Sequence, residues 1–384
     1  MTRVLELLVS LLIVTALIVI IGVFLPSSGR VERSVEVSNP VRQIYDSLNT
    51  LQRFPEWSAE RRVDSALSYE FSGPREGVGT KVAYSSSNPE VGNGSLEIVS
   101  SDLDNQVKMA VENAYAGTNK SYTVRIVPAP NAKTSRIFWA YEVEYGWNLM
   151  ARYAGMYIHG KPDTTVQVAL GNFASMLATV PNADYRDQDI QVVEIVGQPM
   201  LFVSTRSPRT LDEVEEAADA AAARIEAVMA KAGLTAAGPR RTITTNFADD
   251  SYSFDIAIPV SASTFTLDRQ TYTIAASTNG GGAAEFLEDE TASNTFRVGE
   301  MDNKGYLVLD DDVRATVSYS GLALVTDYSG SPAALPLLRL MEKAFADTHG
   351  YQYSEIDGGR FWDEVVAIDE SGEATYRVYL PVVP

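Results

Sequence analysis

The chain has 384 residues, with 31 Lys and Arg against 50 Asp and Glu and a formal net charge of −19. A single hydrophobic core rarely grows past roughly 250 residues, so this length predicts more than one domain. The absence of cysteine excludes disulfides and sulfur-ligated metal sites, and two histidines give no basis for a histidine-rich one. Because phosphate binding needs a basic face, the acidic balance argues against nucleic acid as a partner. We expect no metal and no cofactor.

An apolar segment comes first in the chain. From Val4 to Leu25 the only charged residue is Glu6, and about 20 apolar residues are enough to cross a bilayer as a helix. The sequence Pro26-Ser27-Ser28-Gly29 that follows lacks a clear signal-peptidase pattern. Residues 1–29 are therefore predicted to be a single-pass membrane anchor, with a cleaved signal peptide as the alternative. Basic residues flank both ends almost evenly, and we expect the remainder to face outward, in a periplasmic or extracytoplasmic space.

Residues 30–181 combine helix and strand patterns. Residues 31–37 alternate apolar and polar side chains, which predicts a strand, and two short helical segments follow up to Trp57. Glycines then punctuate a run of strands, and residues 163–179 return to helical spacing. The predicted strands are Ala66–Phe71, Thr80–Ser85, Gly94–Ser100, Gln106–Val111, Lys120–Val127 and Ser135–Val143.

The motifs of this region, in their order, resemble a known superfamily. They read V-E-R-S-V-E-V-S-N-P-V-R-Q-I-Y-D, then F-P-E-W, G-P-R-E-G-V-G-T-K-V and V-G-N-G-S-L-E-I-V, and they are similar to SRPBCC domains, the START-like or polyketide-cyclase-like helix-grip folds. The resemblance implies a curved antiparallel sheet that grips a long C-terminal helix around an apolar cavity for lipids, sterols or aromatic compounds. Aromatic residues expected to face inward are candidate ligand contacts, with filling of the core as the alternative. They are Trp57, Tyr69, Phe71, Tyr84, Trp139, Tyr141 and Phe173.

Residues 190–384 contain two similar halves, about 190–260 and 296–384, after a polar segment at Pro181–Gln188 that is predicted to be a linker. Each half runs strand, Ser-Pro, helix, glycine stop, Gly-x-Arg loop and a strand that ends in an apolar residue followed by Pro-Val. Such halves predict an α+β unit with pseudo-twofold symmetry and its helices on one face of the sheet. The acidic runs Glu285–Glu290 and Asp310–Asp312 are predicted to be solvated loops.

The motifs A-G-L-T-A-A-G-P-R-R, F-D-I-A-I-P-V and Y-R-V-Y-L-P-V of this region resemble the GyrI-like domain, the effector-binding type of the AraC family. The resemblance implies a groove between the halves for small molecules, often cationic or aromatic. An acidic residue four residues before the proline of the Ile-Pro-Val triplet commonly lines that groove. Asp255 occupies that position in the first half and Arg377 in the second. The candidate ligand-binding residues are Tyr252, Asp255, Phe361, Trp362, Tyr376 and Arg377. The alternative is a structural salt bridge between Asp255 and Arg377, and Glu364 is expected to be a surface residue.

These patterns favour one function over two others. The prediction is a membrane-anchored protein that captures small hydrophobic or aromatic molecules, cationic ones included, in a helix-grip domain followed by a GyrI-like domain. No catalytic constellation stands out in the sequence, so non-covalent binding is favoured over an enzyme with cyclase-like or hydrolytic activity. A scaffold whose cavities are filled by their own aromatic side chains is the third possibility.

Overall fold

A computed structural model describes residues 2–130, 134–276, 296–353, 361–370 and 372–384. The chain divides into two compact units, the first formed by Met1–Asp184 with Thr348–Gly350 and the second by Tyr185–Asp347 with Tyr351–Pro384. Both units combine helices with a large antiparallel sheet, and the described residues contain seven α-helices. The chain is therefore of the α+β class.

The first helix, α1 (Thr2–Phe24), contains the apolar segment. Residues Arg3–Phe24 form the one helix among the described residues that is long and apolar enough to cross a membrane. At 1.5 Å per residue it measures about 33 Å, close to the roughly 30 Å hydrocarbon layer of a bilayer. A signal sequence near the N-terminus meets the same criteria of length and composition.

A seven-stranded antiparallel sheet and four further helices build the first unit. The sheet order is β1-β7-β6-β5-β4-β3-β2, so β2 to β7 form a meander that β1 extends by pairing with β7. The predicted counterparts of β2 to β7 and of the long helix match the observed elements within two residues at each end, and β1 begins three residues earlier than predicted. The elements are β1 (Ser28–Val37), α2 (Val41–Asn49), α3 (Phe54–Trp57), β2 (Ser68–Ser72), β3 (Lys81–Ser85), β4 (Asn93–Asp102), β5 (Gln106–Glu112), β6 (Thr118–Pro128), β7 (Ser135–Glu144), α4 (Leu149–Gly155) and α5 (Lys161–Leu177).

The core of this unit lies between the sheet and α5. Alternate residues of β7, Ile137 to Val143, point towards α5 because successive side chains of a strand face opposite sides. Asp163 in the first turn of α5 accepts a hydrogen bond from Nε of Arg33 on β1 at 2.7 Å. That bond holds the pKa of Asp163 below its ordinary value. The negative charge suits the helix N-terminus, so the pair fixes α5 across β1.

The short helix α4 was not predicted from the sequence. The side chain of Asn148 caps it by accepting a hydrogen bond from the backbone N–H of Ala151 at 3.1 Å. Asn148 is the one local signal for this helix, because seven residues are too few to establish a helical period.

A nine-stranded antiparallel sheet dominates the second unit. Its order is β14-β15-β9-β11-β10-β17-β18-β16-β8, with β12 and β13 paired separately. The elements are β8 (Gln191–Ile195), β9 (Pro199–Pro208), α6 (Leu211–Ala232), β10 (Arg241–Phe247), β11 (Ser251–Pro259), β12 (Thr264–Leu267), β13 (Gln270–Thr273), β14 (Leu307–Val308), β15 (Val313–Val317), β16 (Gly321–Ser329), α7 (Leu335–Thr348), β17 (Trp362–Ile368) and β18 (Ala374–Pro381).

Local signals set the bounds of α6. The hydroxyl of Thr210 accepts a hydrogen bond from the backbone N–H of Glu213, and the Glu213 carboxylate bonds to that hydroxyl. Gly233 ends the helix at a φ of +67°, a left-handed conformation that glycine adopts without steric cost. The glycine stop is the one that the sequence predicts.

Two predicted loops can be compared with the structure. The Gly-x-Arg segment of the first half, Gly238–Arg240, lies outside the strands as expected, and β10 begins at the next residue, Arg241. The segment Pro181–Gln188 contains the boundary between the two units, and Ala183 and Tyr185 within it are buried. The amide of Gln43 donates to the carbonyls of Pro181 and Ala183 at 2.8 Å.

Three further predictions concern loops. The second Gly-x-Arg loop, Gly358–Arg360, and the acidic run Glu285–Glu290 lie outside the described residues. Asp310–Asp312 is exposed, as expected.

Two helical glycines provide a matched test of the packing in the first unit. A Cβ on Gly155 of α4 would lie 2.4 Å from Cε2 of the buried Tyr145, whereas a Cβ on Gly171 of α5 would meet nothing within 4 Å. We expect Gly155→Ala to destabilise the protein by about 1–3 kcal/mol through overpacking. Gly171→Ala should stabilise it by about 1 kcal/mol through helix propensity.

Thermal unfolding of the detergent-solubilised chain measures both effects as shifts of opposite sign in Tm. Shifts of the same sign in the two variants would contradict the observed packing of Tyr145 against α4.

Candidate functional site

Four of the aromatic residues predicted to contact a ligand fill the core of the first unit. The rings of Trp57 and Trp139 lie 5.3 Å apart, and each lies 6.0 Å from the ring of Phe173 on α5. Tyr84 stacks on Phe54, which itself contacts Trp57 edge to face. We call Trp57, Trp139 and Phe173 the aromatic cluster, and it occupies the interior beneath the C-terminal half of α5.

Two other candidates in this region lie on β2. Tyr69 is partly buried against Phe54, whereas Phe71 is 40% exposed. Phe71 lies on the inward face of β2, opposite the buried Val82, but its ring is not enclosed. Strand β2 is the edge of the sheet, and its side chains lack a neighbouring strand that would cover them.

Tyr141, the remaining candidate, lines a pocket of about 220 Å³ beyond the aromatic cluster. Tyr141 follows Trp139 by two residues on β7, so the pocket continues the same inward face towards the end of the sheet near Ser28 and Glu144. Segments from both ends of α4 close it. The lining residues are Tyr115, Ala116, Tyr141, Val143, Tyr145, Ala154, Tyr157, Ile158, Lys161 and Pro162.

The pocket lining is aromatic and carries no carboxylate. Burial raises the pKa of Tyr115, Tyr141 and Tyr145 above the ordinary value, so these phenols stay neutral at physiological pH. The hydroxyl of Tyr115 bonds to that of Thr165 on α5 at 2.7 Å. Lys161 is exposed and lies at the first turn of α5. The pocket thus offers ring faces, neutral hydroxyls and one cation at its rim.

In the second unit, the candidate residues lie on two faces of one sheet. Phe254 and Ile256 pack towards α6, so Asp255 between them points to the face without helices. Trp362 and Arg377 share that face, because Trp362 belongs to a cluster with Tyr379, whereas Val378 packs towards α7.

The other three candidates lie on the helix side. Tyr252 packs with the cluster beneath α6, and Phe361 and Tyr376 pack with the cluster beneath α7. A sheet therefore separates the two sets, and the six residues do not form one site. Period-two alternation along β11 and β18 is the cause.

The predicted salt bridge between Asp255 and Arg377 is wrong. Arg377 on β18 donates from Nε to Oδ1 of Asp327 on β16 at 2.7 Å and from Nη2 to Oδ2 at 2.8 Å. That bond lowers the pKa of Asp327. Asp255 lies on β11, three strands away from β18, so at about 4.8 Å per strand it is roughly 14 Å away.

Glu364 was expected on the surface, but it is buried on the helix-free face. Its carboxylate accepts from Nε of Arg241 at 2.7 Å and from the hydroxyl of Tyr379 at 3.2 Å. Burial, followed by the Glu364 charge, raises the pKa of Tyr379 to about 12. Trp362 stacks on Tyr379 with 4.5 Å between ring centroids. This group lies where β10 meets β17, so two distant segments of the sequence build it.

A second buried charged group lies on the helix side and was missed in the sequence. Arg339 of α7 forms an ion pair with Asp363 of β17. One turn along α7, both carboxyl oxygens of Glu342 are buried without a hydrogen-bond partner among the described residues. Burial raises the pKa of Glu342 well above its ordinary value. Its position four residues after Leu338, on the apolar face of α7, was the available signal.

Within the described residues, no three His, Cys, Asp or Glu side chains are grouped so that they could hold a metal ion. His159 is exposed.

No family model matches the chain, and no curated protein matches it. Among solved structures, it is similar to norcoclaurine synthase from Thalictrum flavum in complex with dopamine and hydroxybenzaldehyde, at 14% identity and a TM-score of 0.32, over 41% of this chain and 90% of that one. It is similar to Ara h 8.0201 at 13% identity and a TM-score of 0.29, over 38% and 99%. The C-terminal domain of EcmrR matches at 11% identity and a TM-score of 0.33, over 51% and 98%.

Norcoclaurine synthase and Ara h 8.0201 are structures of the Bet v1-like, SRPBCC type. At these identities and TM-scores, the likenesses say nothing about what this chain binds.

The buried Glu342 predicts a pH-dependent stability. An unfolded glutamate ionises near pH 4.3, whereas the folded state keeps the Glu342 proton to a higher pH. Stability should therefore fall as the pH rises above about 4.3, by up to roughly 1.4 kcal/mol per pH unit, until the pKa of the folded state is reached. The neutral variant Glu342→Gln removes this loss, so its advantage in Tm over the parent should grow between pH 5 and pH 8.

Thermal unfolding across that pH range is the measurement, with Glu216→Gln, at an exposed position of α6, as the control. An advantage of Glu342→Gln that does not change with pH would contradict a protonated Glu342 in the folded protein.

Proposed function

We propose that this chain is a membrane-anchored binding protein that captures small hydrophobic or aromatic molecules without covalent chemistry. Its parts are an anchor over residues 1–29, an SRPBCC-like domain over 30–181 and a GyrI-like domain over 190–384. The observation that supports binding most directly is the tyrosine-lined pocket of the first unit. Helix α1 supports the anchor by its length and composition.

The pocket favours one chemical class of guest. Its volume of about 220 Å³ lies below the 300–1,000 Å³ typical of pockets for drug-sized ligands, so the guest is small. Ring faces of the tyrosines suit an aromatic body. Neutral phenols and the rim cation Lys161 suit a hydroxyl or an anionic group, while a cationic guest would find no carboxylate in the lining. We therefore propose a neutral or anionic aromatic molecule.

The strand order of the second unit supports its GyrI-like assignment. On one side of the central β10–β17 pair lie β11, β9 and β15, and on the other lie β18, β16 and β8. Each half contributes a strand-helix-strand-strand segment, β9-α6-β10-β11 in the first half and β16-α7-β17-β18 in the second. The two segments are arranged in mirrored order about the β10–β17 pair, as two similar halves over residues 190–260 and 296–384 would require. We propose that a pseudo-twofold axis passes between β10 and β17.

This arrangement changes the proposed ligand of the second unit. At the proposed axis, the buried acid on the helix-free face is Glu364, and Arg241 already pairs with it. A neutralised carboxylate gives a cationic guest little advantage. The stacked Trp362 and Tyr379 favour a flat aromatic guest instead.

An enzyme is the alternative function. Among the residues that line the pocket, Lys161 and the four tyrosines are the groups able to exchange protons. In the second unit, Asp255 is the acid that the sequence pointed to, and it is buried on the helix-free face. Loss of a measured turnover in Asp255→Asn, with folding retained, would favour the enzyme.

The binding proposal predicts an order of affinity among probes of equal size. For the detergent-solubilised chain, we expect 1-naphthol and 1-naphthoate to bind saturably and 1-naphthylmethylammonium to bind at least about tenfold more weakly, since 1.4 kcal/mol corresponds to a factor of ten. Isothermal titration calorimetry measures all three. Equal binding of the ammonium probe would contradict the proposal that the guest is neutral or anionic. The absence of saturable binding for every probe would favour the scaffold alternative.

A pair of tryptophan variants locates the bound probe. Ala154→Trp places a large ring in the pocket lining and should abolish 1-naphthol binding by filling the space. Ala178→Trp places the same ring just beyond the C-terminal end of α5 and should leave binding intact. The pocket borders the N-terminal end of α5, and the 17 residues of the helix separate the two ends by about 25 Å. Unchanged affinity in Ala154→Trp would mean that the probe binds elsewhere.

A further inference from the structure

Four exposed apolar or aromatic side chains surround α4. Trp147, Met150, Met156 and Tyr157 are 81, 79, 62 and 76% exposed. They lie on the helix and on the turns at its two ends, and we call them the collar. Single exposed apolar residues are common, but four large ones within eleven residues mark a contact surface.

The helix that carries the collar is fastened to the C-terminal end of α1. Nη1 of Arg152 donates to the carbonyls of Val23 at 2.7 Å and Leu25 at 3.2 Å. Carbonyls in the last turn of a helix have no partner within the helix, and a cation there suits the helix dipole. Arg152 is itself buried, and its Nε donates to the carbonyl of Gly146 at 2.7 Å. The side chain therefore ties the turn before α4 to the end of α1.

A glycine in α1 permits this close packing. A Cβ on Gly22 would lie 3.2 Å from Cε2 of Tyr153 and 3.3 Å from Cβ of Leu149, tighter than ordinary contact. The hydroxyl of Tyr153 reaches further along α1 and donates to the carbonyl of Ile18 at 2.6 Å. α4 thus lies beside the last two turns of α1 rather than beyond its end.

This geometry sets the depth of the collar in a membrane. Ile18 precedes Phe24 by six residues, about 9 Å along the helix axis. Because α1 is about as long as the hydrocarbon layer is thick, its last 9 Å form the outermost part of that layer and end at the boundary with the headgroups. Tryptophan and tyrosine are enriched at that boundary, where ring and polar atom are both accommodated.

We propose that the collar inserts into the interfacial layer of the bilayer that α1 spans, so that the pocket opens at the lipid surface. The inference rests on the anchor of the proposed function and adds a second, peripheral membrane contact. Tyr157 belongs both to the collar and to the pocket lining, and Ala154 and Ile158 of the same segment also line the pocket. A hydrophobic guest dissolved in the bilayer therefore enters the pocket without crossing water.

The natural absence of cysteine allows a direct test by single-cysteine labelling. Met150→Cys, Met156→Cys, Ile13→Cys and Leu103→Cys are each labelled with an environment-sensitive fluorophore. The full chain is reconstituted in phosphatidylcholine vesicles that contain nitroxide lipids with a shallow or a deep nitroxide. Ile13 lies in the middle of α1 and reports on the anchor. Leu103, 60% exposed, lies in the β4–β5 turn at the opposite end of the sheet and is the matched apolar control.

We expect the Met150 and Met156 labels to shift their emission to the blue and to be quenched most by shallow nitroxides. The Ile13 label should be quenched most by deep nitroxides, and the Leu103 label should behave as in water. Collar labels that match Leu103 while Ile13 is quenched would overturn the collar and leave the anchor standing. An Ile13 label whose emission and quenching are those of a label in water would overturn the anchor and the collar together.

Two further results would also overturn the inference. A blue shift of the collar labels that disappears on dilution of the protein in lipid would identify a second copy of the chain as the occupant. In Gly22→Leu, α1 stays apolar but the added side chain separates it from α4, so the shallow quenching at Met156 should be lost while that at Ile13 persists. Unchanged quenching at Met156 would overturn the inference that α1 holds the collar at the bilayer surface.

Discussion

The packing of Trp57, Trp139 and Phe173 beneath α5 is the constraint on which the rest of the first unit depends. These three side chains meet edge to face and exclude any guest from the middle of the fold. Space for a guest lies further along the inward face of β7, where Tyr141 and Val143 are followed by the turn to α4. The position and size of the pocket follow from how far the aromatic cluster extends.

Closing the pocket at that end requires α4, and α4 in turn depends on α1. Arg152 and Tyr153 bond to backbone carbonyls of α1 while residues on either side of them line the pocket. One short helix thus connects the apolar N-terminal segment with the cavity. The pocket lining itself holds neutral phenols and a single lysine at the rim.

In the second unit, carboxylates are buried on both faces of the sheet. Arg241 compensates Glu364 on the helix-free face, and Arg339 compensates Asp363 on the helix side. Removing either arginine would leave a buried carboxylate without its cation, which costs about 3–5 kcal/mol. Burial instead raises the pKa of Glu342 well above its ordinary value, which favours its neutral form. Such compensation allows an acidic chain to place carboxylates in its core.

The sequence by itself determined the elements whose side chains repeat with a clear period. These are the apolar segment of α1, the alternating strands β2 to β7, the long helix α5, and α6 with its glycine stop. Helix α4 escaped prediction, because its seven residues are too few to show a period. Only the tertiary structure decided which side chains meet: that Asp255 and Arg377 lie three strands apart, that Tyr252 and Trp362 lie on opposite faces, and that Glu364 is buried beside Arg241. The physical reason is that such contacts join distant segments through strand order and register, which local periodicity does not encode.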